Sequence, residues 1–172
     1  QDEKIKYNNV YIIDESSRIS GKDNNITLNL SPKEFQSLII KQLKAKEPVY
    51  FYCSTTSKRV DGIWIDTIER YGDIFGIDLK LDSNSILKTN GITNCHSMII
   101  TGANIIDNKV TKYKIENSWG SKNGNQGYYV ATEDWVKKYV HRIVINKKYL
   151  TKKQLENLDK QPIKIEKWDA KF

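Results

Sequence analysis

Cysteine, histidine and methionine are all scarce in this 172-residue chain, and each scarcity narrows what the chain can be. Cys53 and Cys95 are the only cysteines. Two scattered thiols do not form the framework of a disulfide-stapled secreted domain, and they fit a free-thiol protein of a reducing compartment. His96 and His141 are the only imidazoles, and no two of these four side chains have the paired spacing of a structural zinc site. No metal or cofactor is expected. No apolar run approaches the roughly 20 residues that span a bilayer. The start of the chain shows no signal-peptide core, although a longer N-terminus would leave that open. The one methionine, Met98, is internal, and the chain opens Gln1-Asp2-Glu3-Lys4. A natural polypeptide longer at its N-terminus is therefore expected. Internal repeats and low-complexity tracts are also missing.

What is plentiful is lysine. The formal net charge is +7 and the pI about 9.2, a balance that by itself suggests an anionic partner such as nucleic acid. The composition argues against leaning on it. Lys, Asn and Ile are used heavily throughout, and the pairs Lys137-Lys138, Lys147-Lys148 and Lys152-Lys153 read as solvated faces of regular elements. The length suits one domain with a self-stabilising core and is too short for two of ordinary size. Residues 1–160 are read as that domain and 161–172 as an extended C-terminal tail.

Along the chain, residues 7–13 alternate and are rich in β-formers, and residues 14–25 read as a loop of Ser, Gly, Asp and Asn. Ser31-Pro32-Lys33-Glu34 is a capping box with Pro at the first helical position. Phe35, Leu38, Ile39 and Leu43 follow at helical spacing, which predicts a helix over 32–46 ended by Pro48. Val49-Tyr50-Phe51-Tyr52 is short and apolar enough for a buried strand. Residues 66–75 and 81–89 suggest helical turns inside a long connection broken by Gly72, Gly76 and Gly91. Strands are predicted over 95–102, 109–116, 128–131 and 142–145, with Asp107-Asn108 turning a hairpin between the first two. Thr132-Glu133-Asp134 opens a helix with acidic residues favoured by its dipole. Thr151-Lys152-Lys153-Gln154 opens another, which Leu155 and Leu158 are expected to anchor.

The chemistry concentrates in two strings, Asn94-Cys95-His96-Ser97-Met98 and Glu116-Asn117-Ser118-Trp119-Gly120, the latter followed by Gly124 and Gly127-Tyr128. His96 opens one strand of the predicted hairpin and Asn117 closes the other, so the two side chains can meet across it. An imidazole can take the proton of a thiol whose own pKa near 8.5 leaves little thiolate at neutral pH. A side-chain amide on the other ring nitrogen fixes tautomer and angle. Trp119 over that hydrogen bond would exclude water and strengthen it. Gly120, Gly124 and Gly127 let the loop turn tightly beneath. Cys95 adjoins His96 on one strand, where neighbouring side chains point to opposite faces, so the two cannot pair as nucleophile and base.

These motifs resemble the His/Asn half of a papain-like cysteine peptidase, in the bleomycin hydrolase and bacterial aminopeptidase C branch. The similarity extends over nearly the whole chain. It takes in Lys6-Tyr7-Asn8, Val49 to Cys53, Leu79 to Thr93, Thr132-Glu133-Asp134-Trp135, Asn146-Lys147-Lys148, Pro162-Ile163 and Trp168-Asp169. The resemblance implies an α+β fold, the β-barrel-like right-hand domain with packed helices and a C-terminal extension. It also implies His96 as general base and Asn117 as its orienting partner, with Trp119 and Gly120 supporting the site. Cys53 falls at a non-catalytic family position. The activity implied is that of a cytoplasmic, homohexameric cysteine aminopeptidase acting on peptides, with DNA binding in some members.

Departures from the family are visible too. Cys95 and Ser97 flank the His where Thr and Ala are usual, Ser54 follows Cys53 where Asp is typical, and only Ala170, Lys171 and Phe172 follow Asp169. The Gln-x(5)-Cys-x-Ser-Cys-Trp type of setting that carries the nucleophile and the oxyanion-hole Gln is missing. The chain is therefore expected to need an N-terminal Cys-bearing domain and to be inactive alone. One rival reading is a non-catalytic interaction or nucleic-acid-binding module that kept the fold, and a second is a processed subunit that works only beside a separate chain carrying the Cys. By the resemblance the tail enters the cleft and limits cleavage to N-terminal residues. A tail as short as this one would leave room for more than one.

Overall fold

The computed structural model describes residues 5–13, 25–55, 59–60, 62–65, 67–79, 85 and 95–165. Most of the loop expected over 14–25, the helical turns expected over 81–89 apart from residue 85, and the closing residues 166–172 lie outside these. The fold class is α+β, as the sequence implied. By its contacts the chain divides into two units, residues 1–38 with 146–172, and residues 39–145.

The first unit is built on a three-stranded sheet in which β1 (Val10–Ile13) pairs antiparallel with β2 (Ile26–Leu28) and parallel with β10 (Ile163–Ile165). Part of the expected tail is thus a strand, with Tyr11 opposite Ile163 and the side chains of Val10, Tyr11 and Ile165 buried. Helix α1 (Pro32–Lys44) starts where its capping box places it. The Ser31 hydroxyl donates to Glu34 Oε2 at 2.6 Å and the Ser31 N–H donates to the same oxygen at 3.1 Å. That hydroxyl contact, more than any other, holds the Glu34 carboxyl below its usual range. Helix α4 (Lys152–Leu158) carries the second box, with the Thr151 N–H donating to Gln154 Oε1 at 2.9 Å and the Gln154 N–H donating back to Thr151 Oγ1 at 3.2 Å. The anchoring differs from the sequence expectation. Gln154 and Asn157 are the buried residues of α4, while Leu155 is exposed. The inner face of this helix is set by polar groups and not by its leucines: Gln154 Oε1 accepts within the cap and Asn157 Oδ1 accepts from Lys160 Nζ at 2.6 Å.

The second unit is a seven-stranded sheet curled into a half-barrel, in the order β4-β5-β8-β7-β6-β3-β9. Its strands are β3 (Val49–Ser54), β4 (Arg59–Val60), β5 (Ile63–Trp64), β6 (Cys95–Ile106), β7 (Lys109–Glu116), β8 (Tyr128–Thr132) and β9 (Val140–Val144). Every neighbour pair is antiparallel except β5 with β8. Alternation puts Val49, Phe51, Cys53, Met98, Ile100, Tyr113, Ile115, Tyr129 and Ala131 on one buried face. Each large side chain so covered contributes about 1.5–3 kcal/mol.

The β6–β7 turn is a two-residue loop, as the sequence predicted, made without the Asn-Gly pair such loops prefer. Asp107 and Asn108 both take positive φ, 48° and 60°, the pair of left-handed residues that a two-residue hairpin loop requires. Helix α2 (Thr67–Phe75) follows β5. Helix α3 (Glu133–Tyr139) is capped by Thr132, whose hydroxyl accepts from the Trp135 N–H at 3.3 Å, and it buries Trp135, Val136 and Tyr139. It runs directly into β9, where the pairing with β3 shifts register between Tyr52 and Cys53. His141 falls in that irregular stretch, and burial pushes its imidazole below the usual range, favouring the neutral form.

Candidate active site

His96 stands near the start of β6, opposite Cys53 of β3, and Asn117 follows the last residue of β7. The antiparallel register that matches Ile99 with Glu116 brings the two side chains to the same end of the sheet. His96 Nε2 lies 2.9 Å from Asn117 Oδ1. The Ser118 N–H donates to the same oxygen at 2.8 Å, and a backbone N–H can only donate, so the atom between them is the amide oxygen and not its nitrogen. It follows that Nε2 is the protonated nitrogen of the neutral ring. The lone pair is left on Nδ1, and the amide has selected the tautomer.

Asn117 is itself immobilised. It is buried, and its N–H donates to the Gly127 carbonyl at 3.1 Å. The loop between them is knitted by the Asn123 side-chain amide, which donates to the Trp119 carbonyl at 2.6 Å, and by the Gly127 N–H, which donates to Asn123 O at 2.8 Å. Gly120 sits at φ +84°, a region favouring glycine. Gly124 has a stricter reason to be glycine: at φ +62° a Cβ there would lie 2.5 Å from the Tyr128 carbonyl oxygen and 2.8 Å from the Tyr129 ring. We expect Gly124→Ala to cost at least about 2 kcal/mol, combining the left-handed penalty with a clash that no rotamer relieves. Urea unfolding of the two proteins checks this. A loss below about 0.5 kcal/mol would mean the loop is not held on Tyr129 as described.

Trp119 stacks on the imidazole at 5.4 Å between centroids and 20° between planes. It covers the His96–Asn117 bond from one side although 43% of its own surface is exposed. Two residues that sequence reasoning missed lie against Trp119. Trp64 is 6.3 Å from it, and Tyr129 meets it edge-on at 5.9 Å. No signal in the sequence marks either, since β5 is only two residues long and Tyr129 reads as an ordinary inward strand residue. Of the two thiols, Cys53 is fully buried and its Sγ–H donates to the His96 carbonyl oxygen at 3.5 Å. The side chain of Cys95 lies outside the described residues. Among the described residues no three His, Cys, Asp or Glu side chains gather into a metal-binding group.

The profile of the Peptidase C1-like family matches residues 2–171. The chain belongs to this family. Among its relatives, Aminopeptidase C of Listeria innocua is 34% identical over 144 residues, covering 83% of this chain and 33% of that protein. Aminopeptidase C of Lactobacillus helveticus is 34% identical over 168 residues, covering 95% of this chain and 37% of the relative. In three dimensions the chain superposes on the crystal structure of PepW from Lactobacillus rhamnosis with a TM-score of 0.87 and 34% identity, over 97% of this chain and 39% of that one. The Peptidase C1-like match thus takes in nearly all of this chain, which spans between a third and two-fifths of the length of the relatives it matches.

Proposed function

We propose that this chain supplies the His/Asn half of the active site of a cysteine aminopeptidase, with His96 as general base and acid and Asn117 as its orienting partner. The observation that carries the reading is the Nε2–Oδ1 contact of 2.9 Å with the oxygen's identity fixed by Ser118. The relatives named aminopeptidase, and their greater length, support an enzyme whose thiol and oxyanion-hole Gln lie in an N-terminal Cys-bearing domain. In that enzyme Nδ1 takes the thiol proton and the thiolate sulfur bonds to the scissile carbonyl carbon. The proton then passes from Nδ1 to the leaving amine as the C–N bond breaks. Water, deprotonated by the same nitrogen, attacks the thioester carbon, and the thiol is released protonated. Atoms balance to one peptide bond and one water consumed.

The partners that go with this reading are peptide substrates, the Cys-bearing domain, and further copies of the chain in a hexamer. The compartment that goes with it is the cytoplasm. No helix among the described residues is long and apolar enough to cross a membrane. The test is complementation. The chain alone should leave aminoacyl reporter substrates uncleaved, and joining it to its Cys-bearing domain should give thiol-dependent hydrolysis. Turnover by the isolated chain that vanishes in Cys53→Ser or Cys95→Ser would overturn the reading.

A further inference from the structure

We propose that Trp64 is a positioning residue for the active-site imidazole, setting the tilt at which Trp119 covers His96. This rests on the reading of His96 as the catalytic base, but its geometry stands apart from that reading. Trp119 is substantially exposed, so burial alone does not fix its ring. Its orientation is set by what it meets on the inner side, and there it meets Trp64 at 52° and the edge of Tyr129 at 85°. Tyr129 in turn rests on Trp64 at 5.0 Å, so Trp64 acts on Trp119 both directly and through Tyr129.

Trp64 is suited to be the fixed member of the group. It is 2% exposed, its backbone is paired in parallel with β8 through Ala131, and Trp135 of α3 packs on it at 5.6 Å. Strand pairing and helix packing therefore converge on one ring, which passes the constraint outward to Trp119 and so to the imidazole. A smaller side chain at 64 leaves a void beneath Trp119. Trp119 then tilts inward, and the His96–Asn117 hydrogen bond meets water on the side that Trp119 now covers. Catalysis suffers because that bond weakens in a higher local dielectric and the imidazole loses its fixed angle.

Proton NMR of this chain reads the stack directly, because the Trp119 ring current moves the His96 Cε1–H and Cδ2–H resonances upfield. In Trp64→Leu these resonances should move downfield by at least half the displacement that Trp119→Ala produces. Trp135→Phe, which trims one support of Trp64 from α3 and leaves its pairing with β8 in place, should move them in the same direction by clearly less than Trp64→Leu does. Trp64→Phe keeps a ring but shortens it, and should give a smaller displacement in the same direction. If Trp64→Leu does not fold, by loss of amide dispersion, the Phe variant decides. Unmoved His96 resonances in a folded Trp64 variant, or equal movement in Trp135→Phe, would overturn the proposal.

In the full-length protein Trp64→Leu should lower kcat about tenfold with KM little changed. An unchanged kcat beside shifted resonances, with His96→Ala equally without effect, would remove the catalytic reading and leave the positioning intact. Loss of activity in His96→Ala with unmoved resonances in Trp64→Leu would do the reverse.

Discussion

His96→Ala in the full-length protein should lower kcat/KM on the order of 10⁴-fold without unfolding it. The size follows from the two jobs the ring has in the proposed cycle. It takes the thiol proton, without which little thiolate exists at neutral pH, and it returns that proton to a leaving amine that departs poorly as an anion. No other described imidazole can substitute. His141 sits in the β3–β9 irregularity and is held toward its neutral form by burial. The fold should survive because His96 is only partly covered and its backbone is held by pairing with Cys53 of β3. Steady-state kinetics on an aminoacyl reporter, with urea unfolding alongside, measure both. A folded variant retaining more than about a tenth of the activity would exclude His96 as the base.

The second expected effect, on the order of 10²-fold, is at Asn117. Asn117→Ala removes the oxygen that holds the proton on Nε2, so the ring is free to place it on Nδ1, where it blocks the acceptor the thiol needs. The same substitution leaves the Ser118 N–H without its acceptor, which loosens the turn into Trp119. Asn117→Asp separates the two explanations. It keeps an oxygen facing both Nε2–H and the Ser118 N–H and should lose much less than the alanine variant. Equal losses in Ala and Asp would mean that the amide nitrogen, not the oxygen, matters at this position. The tautomer argument would then be wrong.

Much of this architecture could be read from local sequence. The capping boxes at Ser31 and Thr151 fixed two helix starts, because a hydroxyl and a Glu or Gln three residues on satisfy backbone donors within one turn. The end of β7 was legible because Lys112–Glu116 alternates, with Tyr113 and Ile115 buried between exposed Lys112, Lys114 and Glu116. Asp107-Asn108 marked the hairpin, and the hairpin is what brings His96 and Asn117 to one end of the sheet. In such cases every force that matters acts between neighbours in the chain or across a single tight turn.

The rest depended on contacts between distant segments. Cys95–Ile106 runs beyond the predicted end at residue 102 because β7 continues to pair with it out to the turn, which apolar content alone does not reveal. β10 exists only because β1 offers it a parallel edge from the opposite end of the chain. β5 is too short for any periodicity, yet its pairing with β8 puts Trp64 beside Trp119, Tyr129 and Trp135. In α4 the helical pattern pointed to Leu155, but packing turned Gln154 and Asn157 inward. By itself, then, the sequence determined which side chains could do proton chemistry and roughly where each element begins, since helix caps, turns and alternation are short-range. The tertiary structure alone decided which nitrogen of His96 carries the proton and which rings hold Trp119 over it, because both depend on groups that the chain brings together only when the sheet closes.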